Sequence, residues 1–593
     1  MSSDLKPTPM ASRPTGMIVS VLAGLLLLQL PWVMNFSPFV LSVLMQAATY
    51  GISVLGIVVV LGYTGQINLG QAVFFGFGAY SVALGTTVYG LSFWAALSIG
   101  VIAAAIIGAA IGMTTLRLGG HYLAMITISF QQIFDLIAIN WVDFTHGPDG
   151  VSGIGRPSIG GFNLSDDRAY LTFCFVCMFL LVALVAWLPH TRWGRAMCSV
   201  RENELAAAVV GVPTLQVKIG AFTLCAVFGA IGGGLFSAGF SYISPDNFNF
   251  NRAVEFLSMA LLGGVQSPFG GILGTTLLIL LPEWLKDLPS FLKIKEIYLV
   301  IYGAAVILIM VFMPQGIWGL LRSRTYRPSK VVETAPILKI DQSSTAADVL
   351  LRLDGLSKHF GGLRAVDAID IQVRRGTVHA LIGPNGSGKT TTLNVASGIY
   401  KPTSGQIFLD GVDITKKLPH QRCAHGLGRT FQNIRLFPQM TVLENVMVGA
   451  QRANNPIQGG EDALRERALS TLEFVGIREK AHEVVSQLSY GHQRLVEIAR
   501  TMAGYPKLIL LDEPAAGLNQ TEKGELVRLI RRMRDEHAMT ILLIDHDMRL
   551  IQSVSDVITV LNFGKKIAEG NPDEVLDHPE VVAAYLGEPD ASA

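Results

Sequence analysis

The octapeptide Gly383-Pro-Asn-Gly-Ser-Gly-Lys-Thr390 joins three glycines to one cation and two hydroxyls, a combination suited to holding phosphate. Glycines let a backbone wrap closely around anionic oxygens, and the amides of such a loop point at them together with the N-terminus of the helix that follows. Lys389 adds a full positive charge, and Thr390 offers a hydroxyl to Mg²⁺. The apolar run 378–382 before the loop and the helix-compatible residues after it supply the strand, loop and helix that the pattern GxxxxGK[ST] requires. Gly383, Asn385, Gly386, Ser387, Gly388, Lys389, Thr390 and Thr391 are therefore the candidate nucleotide-binding residues. Such a loop marks a nucleotide-binding protein without saying which kind.

A second strand is expected at 508–511, four β-favouring residues that end in Asp512-Glu513. Asp512 at the strand end suits the organisation of Mg²⁺, and Glu513 suits polarisation of the water that attacks a γ-phosphate. A solvated turn also produces acidic pairs, but not behind an apolar strand in a chain with a phosphate loop upstream. Gln432, in Arg429-Thr-Phe-Gln432, could sense the γ-phosphate. Leu488-Ser-Tyr-Gly-His-Gln493 opens a helix, and His546 follows the apolar strand 540–544. Alone, none of these three is diagnostic, since a histidine after a strand is more often structural.

In this order and spacing the pieces resemble the ATP-binding-cassette ATPases, from about residue 351 to 587. The resemblance makes 383–390 the Walker A motif, Gln432 the Q-loop, 488–493 the signature motif, 508–513 Walker B, and His546 the switch histidine. It implies Glu513, His546 and Gln432 as catalytic residues, with Thr390, Gln432 and Asp512 around Mg²⁺. It also implies two cassettes that sandwich ATP, so that Ser489, Gly491 and Gln493 act on the nucleotide of the opposite cassette. Phe360, before Gly361-Gly362, falls where the family stacks a ring on adenine; an aromatic before a turn is otherwise often core. Two departures stand out: Tyr490 and His492 in the signature, and Asn519 where the D-loop typically ends in aspartate.

These motifs occupy only the second half of a 593-residue chain. Half of all residues are hydrophobic and 15% are charged, an average of an apolar first half and an ordinary soluble second half. A membrane span needs about 20 apolar residues, because every backbone amide must be satisfied within the helix. Segments 17–34, 39–61, 91–113, 169–188, 215–240 and 297–313 qualify, and 72–84, 122–141, 253–265 and 269–285 are weaker, giving eight to ten expected spans. Gly76, Gly78 and Gly232 to Gly234 suit close helix approach or broken helices along a pathway. Arg192, Arg195 and Arg201, and later Arg322, Arg324, Arg327 and Lys330, place their loops in the cytosol.

Between those spans the segment 192–212 reads as a helix that docks on the ATPase, or as an ordinary amphipathic loop helix. Glu255 and Asp135 lie in or beside apolar sequence, where a charge tends to face a cavity or a partner; they are candidates for the pathway or for the membrane boundary. Cys174 and Cys177 form a CxxC inside an apolar run, which reads as helix packing and not as a redox site. The expected organisation is a permease domain over 1–324, a Pro- and Ser-containing linker over 325–350 and an ATPase domain over 351–593. The fold class expected is an α-helical polytopic membrane domain fused to an α/β P-loop cassette. The first apolar run reads as a retained span and not as a cleaved leader.

Within the superfamily the chain is most similar to the high-affinity branched-chain amino-acid importers. Gly62-Tyr-Thr-Gly-Gln-Ile-Asn-Leu-Gly70, residues 147–153, the 192–212 loop, Leu262-Gly-Gly264, residues 429–445 and Asp512-Glu-Pro-Ala-Ala-Gly-Leu-Asn519 carry that resemblance, and they make Asn519 ordinary for this branch. What it implies is ATP-driven uptake of branched-chain or related hydrophobic amino acids across the inner membrane of a bacterium. The partners implied are a periplasmic or lipid-anchored binding protein and either a second permease and ATPase or a second copy. Relatives that take up urea, short amides or aromatic acids read alike. An exporter half-transporter, typically with six spans and long cytosolic extensions, fits less well than an importer with eight to ten short Gly-rich spans and the compact loop at Arg192. A net charge of +1 without clustered cations excludes a nucleic-acid footprint.

Overall fold

The computed structural model describes residues 36–115, 120–286, 316–322, 348–451 and 460–586, with isolated positions at 29, 31–34, 300, 303–304, 307–308 and 311–313. Two compact units divide the chain: Met1–His190 with Lys218–Tyr326, and Thr191–Val217 with Arg327–Ala593. The expected spans 17–34 and 297–313 fall largely outside the described residues, as do residues 325–347 of the linker and Arg324, Arg327 and Lys330.

The first unit is helical because its apolar runs carry almost no side chain able to satisfy a backbone amide except the helix itself. Helix α1 (Pro38–Ile57) starts at Ser37, whose hydroxyl accepts from the Val40 amide, and winds on through a π-turn, Val58–Tyr63. Then come α2 (Gln71–Thr87), α3 (Phe93–Thr115), α4 (Gly120–Asn140) and α5 (Asp167–Trp187). Among the described residues five helices are long and apolar enough to cross a membrane: Pro38–Tyr63, Phe93–Thr114, Tyr122–Asn140, Asp167–His190 and Thr214–Phe240.

The weaker segments 253–265 and 269–285 become two short helices. Pro245–Gly263 and Pro268–Pro282 form a pair bent by 119°, and a sixth span results if the pair is one. The Gly-rich stretches serve close approach. A Cβ on Gly78 would overlap the Ala230 carbonyl, and one on Gly233 the Phe75 carbonyl. Cys174 and Cys177 are free thiols on α5, in keeping with packing.

The second unit begins in the loop 191–217. It forms two helices, α6 (Arg192–Glu202) and α7 (Glu204–Val209), rather than one. Asn203 breaks the run: its backbone is extended, at φ −158°, and its side chain accepts the Ala206 amide at 2.9 Å to start the second helix.

Two sheets follow. The antiparallel one has the order β2–β1–β4–β5, from β1 (Val349–Phe360), β2 (Leu363–Arg374), β4 (Ser404–Leu409) and β5 (Val412–Asp413). The other has the order β6–β7–β8–β3–β9–β10, from β3 (Val378–Ile382), β6 (Leu427–Arg429), β7 (Leu508–Asp512), β8 (Thr540–Ile544), β9 (Val557–Asn562) and β10 (Lys565–Gly570). Its strands are parallel except for β10. Strands β3, β7 and β8 are buried at every position, as a parallel sheet covered on both faces requires.

Candidate active site

The phosphate loop leaves the buried end of β3 and enters α11 (Lys389–Ala396). Two of its glycines are obligatory. Gly383 and Gly388 have φ of +149° and +100°, and a Cβ on either would overlap a carbonyl, that of Leu561 or Ala365. Lys389 is buried and donates to the Gly383 and Pro384 carbonyls at 2.7 and 2.9 Å. Burial pulls the lysine below its usual range, and the carboxylates of Glu513 and Asp512 oppose that pull.

Strand β7 lies beside β8 and carries Asp512 to its end. Asp512 is buried against Arg429, 3.2 Å away and equally buried. Burial pushes the aspartate up from its usual range and Arg429 pulls it back. One carboxylate oxygen, Oδ1, is buried without a partner. An acceptor held in that state next to a phosphate loop fits a Mg²⁺ ion or its water.

The next residue, Glu513, has φ +46°, a left-handed conformation uncommon for a side chain of this size and costing on the order of 1–3 kcal/mol. Its amide donates to the Ile544 carbonyl at 2.8 Å. The carboxylate is thereby set between two others of the expected residues: Gln432 Nε2 donates to Oε2 at 2.9 Å, and His546 Nε2 lies 2.9 Å from Oε1. Three residues separated by 81 and 33 positions in the chain thus meet at one carboxylate.

The signature residues stand elsewhere. Ser489 is exposed and caps α15 (Tyr490–Met502), where its hydroxyl also meets His492 Nδ1 at 2.6 Å. Gly491 faces Glu522, whose carboxylate a Cβ would overlap, and Gln493 donates to the Leu488 carbonyl at 2.9 Å. Among the described residues no hydrogen bond joins Ser489 to the loop 383–388. Phe360 is half exposed and meets Tyr400 edge to face, 5.4 Å between centroids, with Lys358 Nζ 4.9 Å from its ring. That places an aromatic pair on the surface, not in the core.

Sequence reasoning missed the groups that hold these residues in place. Arg429 is one. Asp545 is another: buried, it accepts from the Ala515, His546 and Asp547 amides at 3.0, 2.8 and 2.9 Å, tying the turn after β7 to the turn after β8. On α15, Arg494, Glu497 and Arg500 are completely buried. Arg494 donates to the Phe431 and Gln432 carbonyls at 2.7 and 2.8 Å, and Glu497 accepts the Arg435 amide at 3.1 Å. The helix behind the signature therefore holds the backbone that carries Gln432. The signal was present as three charges on one face of an otherwise amphipathic helix.

Helices α6 and α7 pack within the same unit. Arg195 forms a forked ion pair with Glu461, one arm at 3.0 Å, at the start of α14 (Gly460–Val475), and Arg192 donates to the Gly460 carbonyl at 3.1 Å. Glu202 accepts the Gln439 amide at 2.9 Å. In the first unit, Glu255 pairs with Arg252, and Asp135 accepts from Gln131 Nε2 at 2.9 Å.

Comparison with known proteins places this geometry. A family model described as the permease component of a branched-chain amino acid transport system matches residues 39–310. An ABC transporter model matches 366–516, and one for the branched-chain amino acid ATP-binding cassette transporter matches 565–591. The chain is similar to the high-affinity branched-chain amino acid transport ATP-binding protein BraF of Pseudomonas aeruginosa, 44% identical over 250 residues, covering 40% of this chain and 98% of that protein. It is likewise similar to LivG of Escherichia coli, at 43% over 251 residues with the same coverage. A nucleotide-free cassette of an ABC transporter, known as a crystal structure, shares 33% identity over 40% of this chain and all of its own, with a TM-score of 0.37.

Proposed function

The chain belongs to the branched-chain amino acid family of ATP-binding-cassette transporters, permease and ATPase in one polypeptide, and from that premise we propose that it imports branched-chain amino acids at the expense of ATP. It is a polytopic inner-membrane protein with its ATPase in the cytoplasm. The convergence of Gln432 and His546 on Glu513, together with a lysine buried in the phosphate loop, is the observation that supports turnover rather than nucleotide binding alone.

In this reading the loop 383–388 and Lys389 hold the phosphates of ATP, and Phe360 with Tyr400 takes the adenine. Glu513 orients and deprotonates the attacking water, held in place by Gln432, while His546 contacts the γ-phosphate from the other side. Thr390, Asp512 and Gln432 would hold Mg²⁺, which neutralises charge on the phosphate oxygens. The orphaned Asp512 Oδ1 supports that assignment. Ser489, exposed at the start of α15, closes with the half-buried Gly491 and Gln493 over the ATP of a second cassette. Because Arg494 grips the Gln432 backbone, arrival of a γ-phosphate at Gln432 moves α15, and the contacts of Glu202 and Arg195 pass that movement to α6 and α7.

Partners in this proposal are a periplasmic or lipid-anchored binding protein and a second permease and ATPase, or a second copy of this chain. Uptake of radiolabelled leucine by cells expressing the chain with its neighbouring transport genes, wild type against Lys389→Ala and with urea and benzoate as competitors, tests it. Leucine uptake lost in the variant supports the proposal. ATP-dependent uptake of a competitor in place of leucine keeps the machine and replaces its substrate.

A further inference from the structure

Two chain breaks meet inside the first unit. The π-turn after α1 ends at Tyr63 and α2 begins at Gln71; α9 (Phe250–Gly263) ends and α10 (Pro268–Lys286) begins across the 119° bend. Gly62 lies so close to Val265 that a Cβ would overlap its carbonyl, so the first break is pressed against the second. Irregular backbone among membrane helices is tolerated where it is buried in protein or lines a cavity, and paired broken helices are where transport sites gather.

The polar side chains of the first break, Gln66 apart, have hydrogen-bond partners. Thr64 donates to the Val60 carbonyl at 2.6 Å, Asn68 Oδ1 accepts the Gly70 amide at 2.9 Å, and Gln71 Nε2 donates to the Ser53 and Cys225 carbonyls at 2.9 and 3.1 Å. Gln66 is the exception. The residue is 6% exposed, and neither Nε2 nor Oε1 has a partner. A buried amide missing both its donor and its acceptor contacts works against folding unless something else uses them.

We propose that Gln66 contacts the transported molecule on its way through, and that this molecule is an α-amino acid bound by its main-chain groups; the proposal rests on the importer reading above. Nε2 donates to the substrate carboxylate and Oε1 accepts from its ammonium, so one amide serves both ends of a zwitterion. The N-termini of α2 and α10 follow the two breaks, and the positive end of a helix favours a carboxylate. Recognition through main-chain groups leaves the aliphatic side chain free to vary, as a carrier for leucine, isoleucine and valine needs.

The experiment is uptake of radiolabelled leucine into proteoliposomes containing the complete transporter and its binding protein, wild type against Gln66→Leu and Gln66→Glu, with the thermal midpoint of each purified complex. Leu removes an orphaned amide at similar volume, so the expected midpoint is at or above that of wild type, while the maximal uptake rate falls tenfold or more. The concentration of loaded binding protein giving half-maximal uptake stays within twofold, because docking is untouched. Gln66→Glu keeps an acceptor and loses the donor, and is expected to fall as far. Full-rate leucine uptake by Gln66→Leu, or loss of uptake together with a lowered midpoint, overturns the proposal by making Gln66 dispensable or merely structural. Absence of leucine uptake by wild type defeats the importer reading instead, a result that no Gln66 variant can produce.

Discussion

Gln432 donates its amide to the Glu513 carboxylate at 2.9 Å across 81 residues of chain, and Glu513 holds the left-handed backbone that lets it receive the bond. Such a contact makes the candidate base and the candidate γ-phosphate sensor a single unit. Glu513→Gln keeps the shape and removes the basicity. A positioned general base contributes about 10²–10⁴ in rate, so steady-state hydrolysis is expected to fall at least a hundredfold with ATP affinity preserved and the closed form accumulating. Phosphate release and labelled-ATP retention on the purified transporter check this, and wild-type turnover would remove Glu513 from the mechanism.

Arg429 and Asp512 are 2% and 1% exposed, which makes their pairing unforgiving. Taking away one partner of a buried ion pair leaves an uncompensated charge and costs about 3–5 kcal/mol. Arg429→Met is therefore expected to lower the thermal midpoint well below that of wild type. The double variant Arg429→Met with Asp512→Asn is expected to recover part of the loss, because no charge is then stranded. Equal midpoints for the single and double variants would show that the pair is not coupled.

Arg195 is buried while its partner Glu461 is nearly half exposed, so the arginine is held in place and the glutamate is able to change partner. If α6 and α7 carry the movement of α14 and of the Gln439 backbone, Arg195→Glu uncouples the chain: leucine uptake falls roughly tenfold while ATP hydrolysis continues. Combining it with Glu461→Arg restores the pairing with reversed charges and is expected to recover most of the uptake. Loss of hydrolysis in step with uptake would instead make the contact structural.

The phosphate loop, Walker B and the parallel strands were legible because each is local: glycines in a row, an apolar strand, an acid at its end. Fold class followed from the same patterns and from apolar runs of spanning length. What was not legible depends on contacts across the fold. Arg494, Glu497 and Arg500 look like the solvated face of a helix until the loop 431–435 is laid against them. Asp545 looks like one more turn acid until three amides are found on it. Glu255 and Asp135 read alike as lone acids in apolar sequence, and only the structure gives one an arginine and the other a glutamine. Gln66 drew notice only as part of a motif, since an unpartnered amide is a property of surroundings and not of spacing.

His379 offers a stability prediction independent of turnover. It sits on β3 with its ring Nε2 2.8 Å from the Thr559 hydroxyl, and burial lowers it from the ordinary 6.5 to about 4, with Glu569 pulling it up and Lys566 down by smaller amounts. The folded state therefore keeps this ring neutral where the unfolded chain would protonate it. Above pH 6.5 neither state carries the proton and the full stability is present; as pH falls from 6.5 toward 4 the unfolded chain takes up the proton alone and stability declines, reaching a loss of about 3 kcal/mol below the folded value. His379→Gln keeps a polar partner for Thr559 and cannot titrate. The wild-type thermal midpoint minus that of the variant, measured on the detergent-solubilised chain at intervals between pH 7.5 and 4, is expected to shrink as pH falls through this window. A difference that stays constant would mean that His379 protonates as readily in the folded chain as in the unfolded one.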